Sequence, residues 1–241
     1  MLPWSDLTAA RKENPSTMSG SKLAAVIWDM DGVIADTASY HFQAWQTVFP
    51  RRGATFTIAD FRHHFGQRDD TIIRDTISGL TDEEVYAIAD EKEAAFRREA
   101  APKVKALPGA VALIKLLYKR RVKMAIASSA PIENIELITA RLEIGSYFQV
   151  IVWGREVAEG KPSPLVFLLA AQKLLVAPED CVVIEDAVAG VAAARRAEMK
   201  CLAVTNNHSW ESLRQADLIV DSLETVSVAD LSALFVTSEK G

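Results

Sequence analysis

The chain has 241 residues, 49% of them hydrophobic and 24% charged, with a formal net charge of −5. That length fits one large domain or two small ones, and an acidic balance with no dense Lys/Arg stripe speaks against a nucleic-acid partner. No apolar segment is long enough to span a bilayer, so no membrane partner is expected.

Residues 1–20 (MLPWSDLTAARKENPSTMSG) lack the apolar core of a signal peptide and read as a flexible extension. Next comes LAAVIW, short, continuous and apolar, as in a strand buried on both faces. It stops abruptly at Asp29 and Asp31, with Asp36 shortly after. Two apart in extended chain, Asp29 and Asp31 point the same way and repel each other, which a hard divalent cation would relieve. Asp36 is better read as a cap for the helix that follows.

Residues 38–102 carry helical patterns (YHFQAWQTVF, DDTIIRDTI, TDEEVYAIADEKEAAFRREA) and no convincing strand. The aromatic stripe Phe42, Trp45 and Phe49 reads as the core of this helical segment. From residue 103 strands and helices alternate. PGAVALIKLLYKR, PIENIELITARLEI, PSPLVFLLAAQKLL and AVAGVAAARRAEM are helical, and a last helix starts from about Thr225. VKMAIASS, FQVIVW, CVVIED, KCLAVTN and ADLIVDS are strands. The fold class that follows is α/β: a doubly wound, mainly parallel sheet with a Rossmann-like core over 21–37 and 103–241, and a helical cap inserted at 38–102. Cys181 and Cys201 fall in apolar strands and belong to no CxxC pair, as buried thiols of a reducing cytosol would.

Ligands of open α/β sheets bind outside the carboxyl ends of the strands. Three such ends carry residues an apolar core would not choose: Asp29 with Asp31, Ser128 with Ser129, and Glu185 with Asp186. Lys161, in EGKPSP, adds a cation ahead of a Pro-started helix. GREVAEGK is not a P-loop, because five residues separate its glycines and Pro follows Lys161. Each residue has a plainer reading alone: Ser128 as a helix cap, Lys161 as a solvated loop lysine, His41 as a packed side chain, Lys92 as a solvated charge beside Asp90 or Glu91. His63, His64 and His208 have no evident partner. The combination is what carries weight.

In that order the residues resemble the haloacid dehalogenase superfamily: Asp29-Met30-Asp31-Gly32, then Ser128, Lys161, and the pair Glu185-Asp186. Within it, DGVIADTASYHFQAW is similar to the β-phosphoglucomutase-like group and its phosphosugar phosphatases. The resemblance implies a Mg2+-dependent phosphatase acting on a small phosphorylated metabolite, a sugar phosphate, through a phosphoaspartate. Asp29 would be the nucleophile and Asp31 the general acid/base. Asp29, the backbone carbonyl of Asp31, Asp186 and Glu185 would surround the metal, Lys161 would face the phosphate, and Ser128 would bind its oxygens. Arg68, in FGQRDDTI, and Lys92 match cap positions of the group, which with His41 and Ser129 would contact substrate. The stretch RHHFGQ before Arg68 departs from the mutase pattern, so hydrolysis is expected ahead of sugar-phosphate isomerisation. A receiver-type signalling domain would lack the long insertion, and a metal-free dehalogenase would lack the second aspartate. A monomeric cytoplasmic enzyme is expected.

Overall fold

The computed structural model describes residues 22–236, so the extension expected over 1–20 lies outside the described residues. Six strands form one sheet: β1 (Ala25–Trp28), β2 (Lys123–Ala127), β3 (Val150–Val152), β4 (Cys181–Glu185), β5 (Lys200–Val204) and β6 (Leu218–Val220). Their order is β3-β2-β1-β4-β5-β6, and every neighbouring pair is parallel. The chain thus builds outward from β1 on one side, then returns to build on the other. The point of reversal lies between β1, β2 and β4, where a crevice opens at the carboxyl ends.

Alternation along the strands assigns the two faces. Val26, Trp28, Met124, Ile126, Val182 and Ile184 pack beneath α5 (Ala110–Lys119), α6 (Ile132–Arg141) and α9 (Val228–Ala233). Ile27, Ala125, Val183 and Cys201 pack against α7 (Leu165–Leu174) and α8 (Val188–Arg196), with Phe167 fully buried between. Truncating Phe167 to Ala would cost about 3–5 kcal/mol. Cys181 and Cys201 are buried and free, as the sequence suggests. The expected last helix is delayed. A 3-10 turn covers Leu223–Thr225, and α9 starts only after Ser227, which shares a reciprocal cap with Asp230.

Between β1 and β2 the chain forms α1 (Ala38–Val48), α2 (Ile58–His64), α3 (Asp69–Thr76) and α4 (Asp82–Ala100). Thr57 with Asp60 and Thr81 with Glu84 close the starts of α2 and α4 as capping boxes. These helices have an apolar cluster of their own, including Trp45, Phe49, Phe56, Phe61, Ile73 and Ile88. Trp45 stacks on Phe49 with ring centroids 4.7 Å apart. The long helix α4 ties the insertion to the sheet: Val85 and Ile88 belong to the aromatic cluster, whereas Ala95, Phe96 and Ala100 pack in the core above the sheet. Asp36 does not cap α1. It is exposed, and Thr37 takes the N-cap position without capping through its side chain.

Candidate active site

Trp28 is level with Ile126 of β2 and Ile184 of β4. Asp29, Ser128 and the Glu185-Asp186 pair therefore leave three adjacent strands at nearly the same height. Lys161 enters from the loop before α7 and is fully buried, its Nζ 2.5 Å from Asp29 Oδ1 and 2.5 Å from Glu185 Oε1. The ammonium also lies 4.9 Å over the Phe167 ring. Burial opposes its charge, but Asp29 and Glu185 outweigh burial and raise its pKa above the usual lysine value.

Glu185 is saturated: its Oε2 accepts from the backbone N–H groups of Asp186 (2.8 Å) and Ala187 (2.9 Å). Those donors stand where α8 begins, and Gly190 on its first turn lets the carboxylate approach. A Cβ there would lie 1.8 Å from Glu185 Oε1. Asp186 is not saturated. Its Oδ2 accepts from Asn207 Nδ2 at 2.7 Å, while its buried Oδ1 has no partner. Gly32 makes the same kind of room on the other side, with φ +87° and a hypothetical Cβ only 2.2 Å from Asp186 Oδ2.

Carboxylate oxygens of Asp29, Glu185 and Asp186 all lie within 4.8 Å of one another. One lysine cannot balance three buried carboxylates. Burial, with Glu185 and Asp31 nearby and against the pull of Lys161, pushes Asp29 up to about 8. Burial and the neighbouring Glu185 and Asp29 hold Asp186 well above the carboxylate range. The charge deficit, the orphaned Oδ1 and the all-oxygen donor set fit a hard divalent cation.

The Asp31 side chain turns away from this cluster. Its Oδ1 accepts from Thr37 Oγ1 at 2.7 Å and lies 3.1 Å from His41 Nε2. His41 Nδ1 is 3.0 Å from Lys92 Nζ, and the ring stacks on Phe96 at 4.0 Å. An ammonium only donates, so Nδ1 accepts and the ring proton sits on Nε2, donating to Asp31. His41 is thus both packed and hydrogen-bonded.

Lys92 is not a solvated helix charge. It is fully buried between Asp69 (3.0 Å) and Glu93 (2.7 Å), with its ammonium 4.8 Å over Trp45. Asp29, Asp31, His41, Lys92, Ser128 and Ser129 line one cleft between the sheet and the helical insertion. Ser128 Oγ accepts from Ala130 N at 3.1 Å and does not cap α6, whose N-cap is Pro131. Ser129 Oγ donates across the cleft to Gly66 O at 2.8 Å. Arg68 lies in an adjoining hollow instead. Its guanidinium forks onto Asp70 (3.1 and 2.6 Å) and donates to Val157 O at 3.0 Å.

The family model for haloacid dehalogenase-like hydrolases matches residues 26–204, a span holding the acids, both lysines and both serines of the site. The chain belongs to the haloacid dehalogenase-like hydrolases. A fructose-1-phosphate phosphatase of Escherichia coli is 35% identical over 184 residues, covering 76% of this chain and 97% of the relative. The β-phosphoglucomutase of Bacillus subtilis is 34% identical over 208 residues, covering 82% and 89%. Among solved structures, a β-phosphoglucomutase from Clostridium difficile superimposes with a TM-score of 0.80 at 26% identity, covering 88% of this chain and 97% of that one. The sheet of this chain is parallel and Rossmann-like, a fold it shares with that structure.

Several residues of the site have no counterpart in the sequence reading. Thr37, Asp69, Glu93, Asn206 and Asn207 all touch it or its supports, and so does His208, for which the sequence suggests no partner. Asn206 donates to Gly32 O at 2.8 Å, and His208 places Nδ1 3.1 Å from Asp186 O and Nε2 3.1 Å from Arg62 O. For Asn206 and Asn207 a signal was available, since both follow β5 at the same carboxyl edge that marks Asp29 and Glu185.

Proposed function

We propose that this hydrolase cleaves small phosphomonoesters, sugar phosphates above all, with Mg2+ bound and Asp29 as nucleophile. The observation that carries the reading is the buried cluster of Asp29, Glu185 and Asp186 around Lys161, with one Asp186 oxygen unpartnered. The phosphatase and mutase relatives act on phosphorylated carbohydrates, which agrees with it.

Asp29 Oδ would attack phosphorus, forming a carboxyl–phosphoryl bond as the ester P–O bond breaks. Lys161 holds Asp29 in place by one oxygen and offsets charge at the transferring group. Ser128, at the end of β2, would hydrogen-bond a phosphoryl oxygen. Asp31 would give a proton to the departing oxygen and then take one from the attacking water. The bonds to Thr37 and His41 place its carboxylate on the insertion side of Asp29, where a leaving group would stand. Asp29 and Asp186, with the Asp31 carbonyl, would hold Mg2+, and Glu185 would position Lys161. The metal when bound supplies Lewis-acid neutralisation of the phosphate.

In this reading residues 38–102 act as a cap that shuts water out. Hydrolysis fits better than isomerisation because isomerisation needs a cation to grip a second phosphate, and Arg68, whose guanidinium would suit that, already spends its fork on Asp70 and its Nη1 on Val157. A cytosolic monomer goes with the reading; no helix among the described residues is long and apolar enough to cross a membrane.

The test is release of phosphate from p-nitrophenyl phosphate and from a panel of sugar monophosphates. Turnover with Mg2+, lost in excess chelator and in Asp29→Asn, is expected. Undiminished turnover in chelator, or by Asp29→Asn, would overturn the reading.

A further inference from the structure

The cleft that holds Asp29 has a second end, and its chemistry is unlike the first. Trp45, Phe65 and Ile72 give it apolar walls, and Asp69, Lys92 and Glu93 give it a polar floor. Of those three polar groups, which all line the cleft, Asp69 alone keeps appreciable solvent exposure, at 18% of its side chain against 2% for Lys92 and 5% for Glu93. Glu93 is anchored from behind, where Asn134 Nδ2 donates to its Oε2, and Asn134 Oδ1 accepts from Arg97 at 3.0 Å. The trio therefore cannot swing away from the cleft.

We infer that Asp69, backed by Lys92 and Glu93, reads the hydroxyl groups of a neutral polyhydroxyl leaving group and turns away substrates carrying a second phosphate. The inference rests on the phosphatase reading above and names the substrate class of that same site.

The sign of charge decides the second half. Lys92 is bonded to two carboxylates, so the trio sums to −1 with Asp69 ionised and to zero with it protonated. Burial and Glu93 raise Asp69 well above the carboxylate range despite Lys92, which favours the neutral sum. In neither state is a cation free to meet a phosphate dianion. Arg68, in the adjoining hollow, is forked onto Asp70. A second phosphate would have to enter desolvated and unpaired, which is strongly unfavourable.

Hydroxyl groups suit the same floor. They donate to a carboxylate or accept from a carboxylic acid, so Asp69 can satisfy them in either protonation state, while Lys92, its three N–H groups spent on His41, Asp69 and Glu93, holds Asp69 in place. Sugar C–H faces would meanwhile lie on Trp45 and Phe65. A site built to hydrogen-bond a hydroxyl also discriminates strongly against an analogue without one, because its own polar groups are left unpaired.

The experiment compares kcat/KM with Mg2+ for a hexitol or hexose monophosphate, its bisphosphate, hexyl phosphate and p-nitrophenyl phosphate. The polyol monophosphate should exceed both hexyl phosphate and the bisphosphate by about 100-fold or more. Asp69→Asn should cut the ratio of polyol phosphate to hexyl phosphate, whose leaving oxygen needs a proton just as much, by about tenfold. A purely structural role would lower both substrates alike and leave that ratio fixed. Equal use of mono- and bisphosphate by the wild type, or an unchanged ratio in Asp69→Asn, would overturn the inference while leaving the phosphatase reading standing. No turnover of any ester, the aryl phosphate included, would overturn both.

Discussion

Two buried lysines stand at the two ends of one site, and their surroundings differ by one carboxylate. Lys161, from the loop before α7, lies between Asp29 and Glu185 above the Phe167 ring, and Lys92, on α4 of the helical insertion, lies between Asp69 and Glu93 above the Trp45 ring. At the sheet end a third acid, Asp186, brings an oxygen that nothing satisfies. That end is short of positive charge and suits a divalent cation and a phosphate. At the cap end the acids and the lysine nearly cancel, and Asn134 and His41 take up further bonds. That end suits uncharged hydroxyls. The same local motif serves opposite chemistry because the sum of charge, rather than the presence of a lysine, decides what can bind.

The contrast breaks most visibly at Asp29. Asp29→Asn removes the attacking oxygen but keeps a partner for Lys161, so phosphatase turnover should fall by about 10⁴-fold or more with thermal unfolding little changed. Steady-state kinetics beside a melting curve checks both halves. Next in size is Asp31→Asn, with a loss of about 10²–10⁴-fold on sugar phosphates, whose leaving oxygen needs a proton. On p-nitrophenyl phosphate the loss in phosphoenzyme formation should be clearly smaller. Equal losses on both substrates would take the acid/base role away from Asp31.

The strand-end groups were legible in the sequence because a polar residue at the end of a buried strand is conspicuous. Asp29, Ser128, Glu185 and Asp186 all announce themselves against apolar neighbours, and Lys161 in EGKPSP gains meaning only beside them. The cap trio does not. Lys92 stands in EKEAAF, a stretch that reads as an ordinary solvated helix face, and its partner Asp69 lies 23 residues away on another helix. Its burial follows only from how α4 packs on α1, which charge patterning cannot reveal. Thr37 was hidden for a related reason. A threonine ahead of a helix already has a routine explanation, yet its hydroxyl goes to Asp31 and leaves α1 uncapped by side chain.

Smaller effects sharpen the cap end of the comparison. Lys92→Met leaves Asp69 and Glu93 without their ammonium in a buried setting, and should cost about 3 kcal/mol of stability. Chemical denaturation measures it. A cost near zero would mean that the trio rearranges at will and positions nothing. Glu93→Gln tests the charge itself. Burial would raise Glu93, but Lys92 and His41 outweigh it and hold its pKa near 2. A carboxylate depressed in the folded state stabilises above its unfolded pKa, and that stability is lost as pH falls toward the folded value. Between about pH 4.5 and about pH 2 the wild type should therefore lose more stability than Glu93→Gln, which has no proton to take up. Parallel acid-unfolding curves for the two proteins would remove Glu93 from the charge balance.

The claim at the centre is that the phosphoryl group passes through the carboxylate of Asp29. Protein mixed with Mg2+ and a fast-reacting phosphomonoester, quenched in acid within a turnover and digested, can be weighed peptide by peptide. One phosphoryl group on the peptide that contains Asp29, absent in excess chelator and in Asp29→Asn, is the expected result. Steady phosphate release with that peptide unmodified, or with the label on another residue, would contradict it.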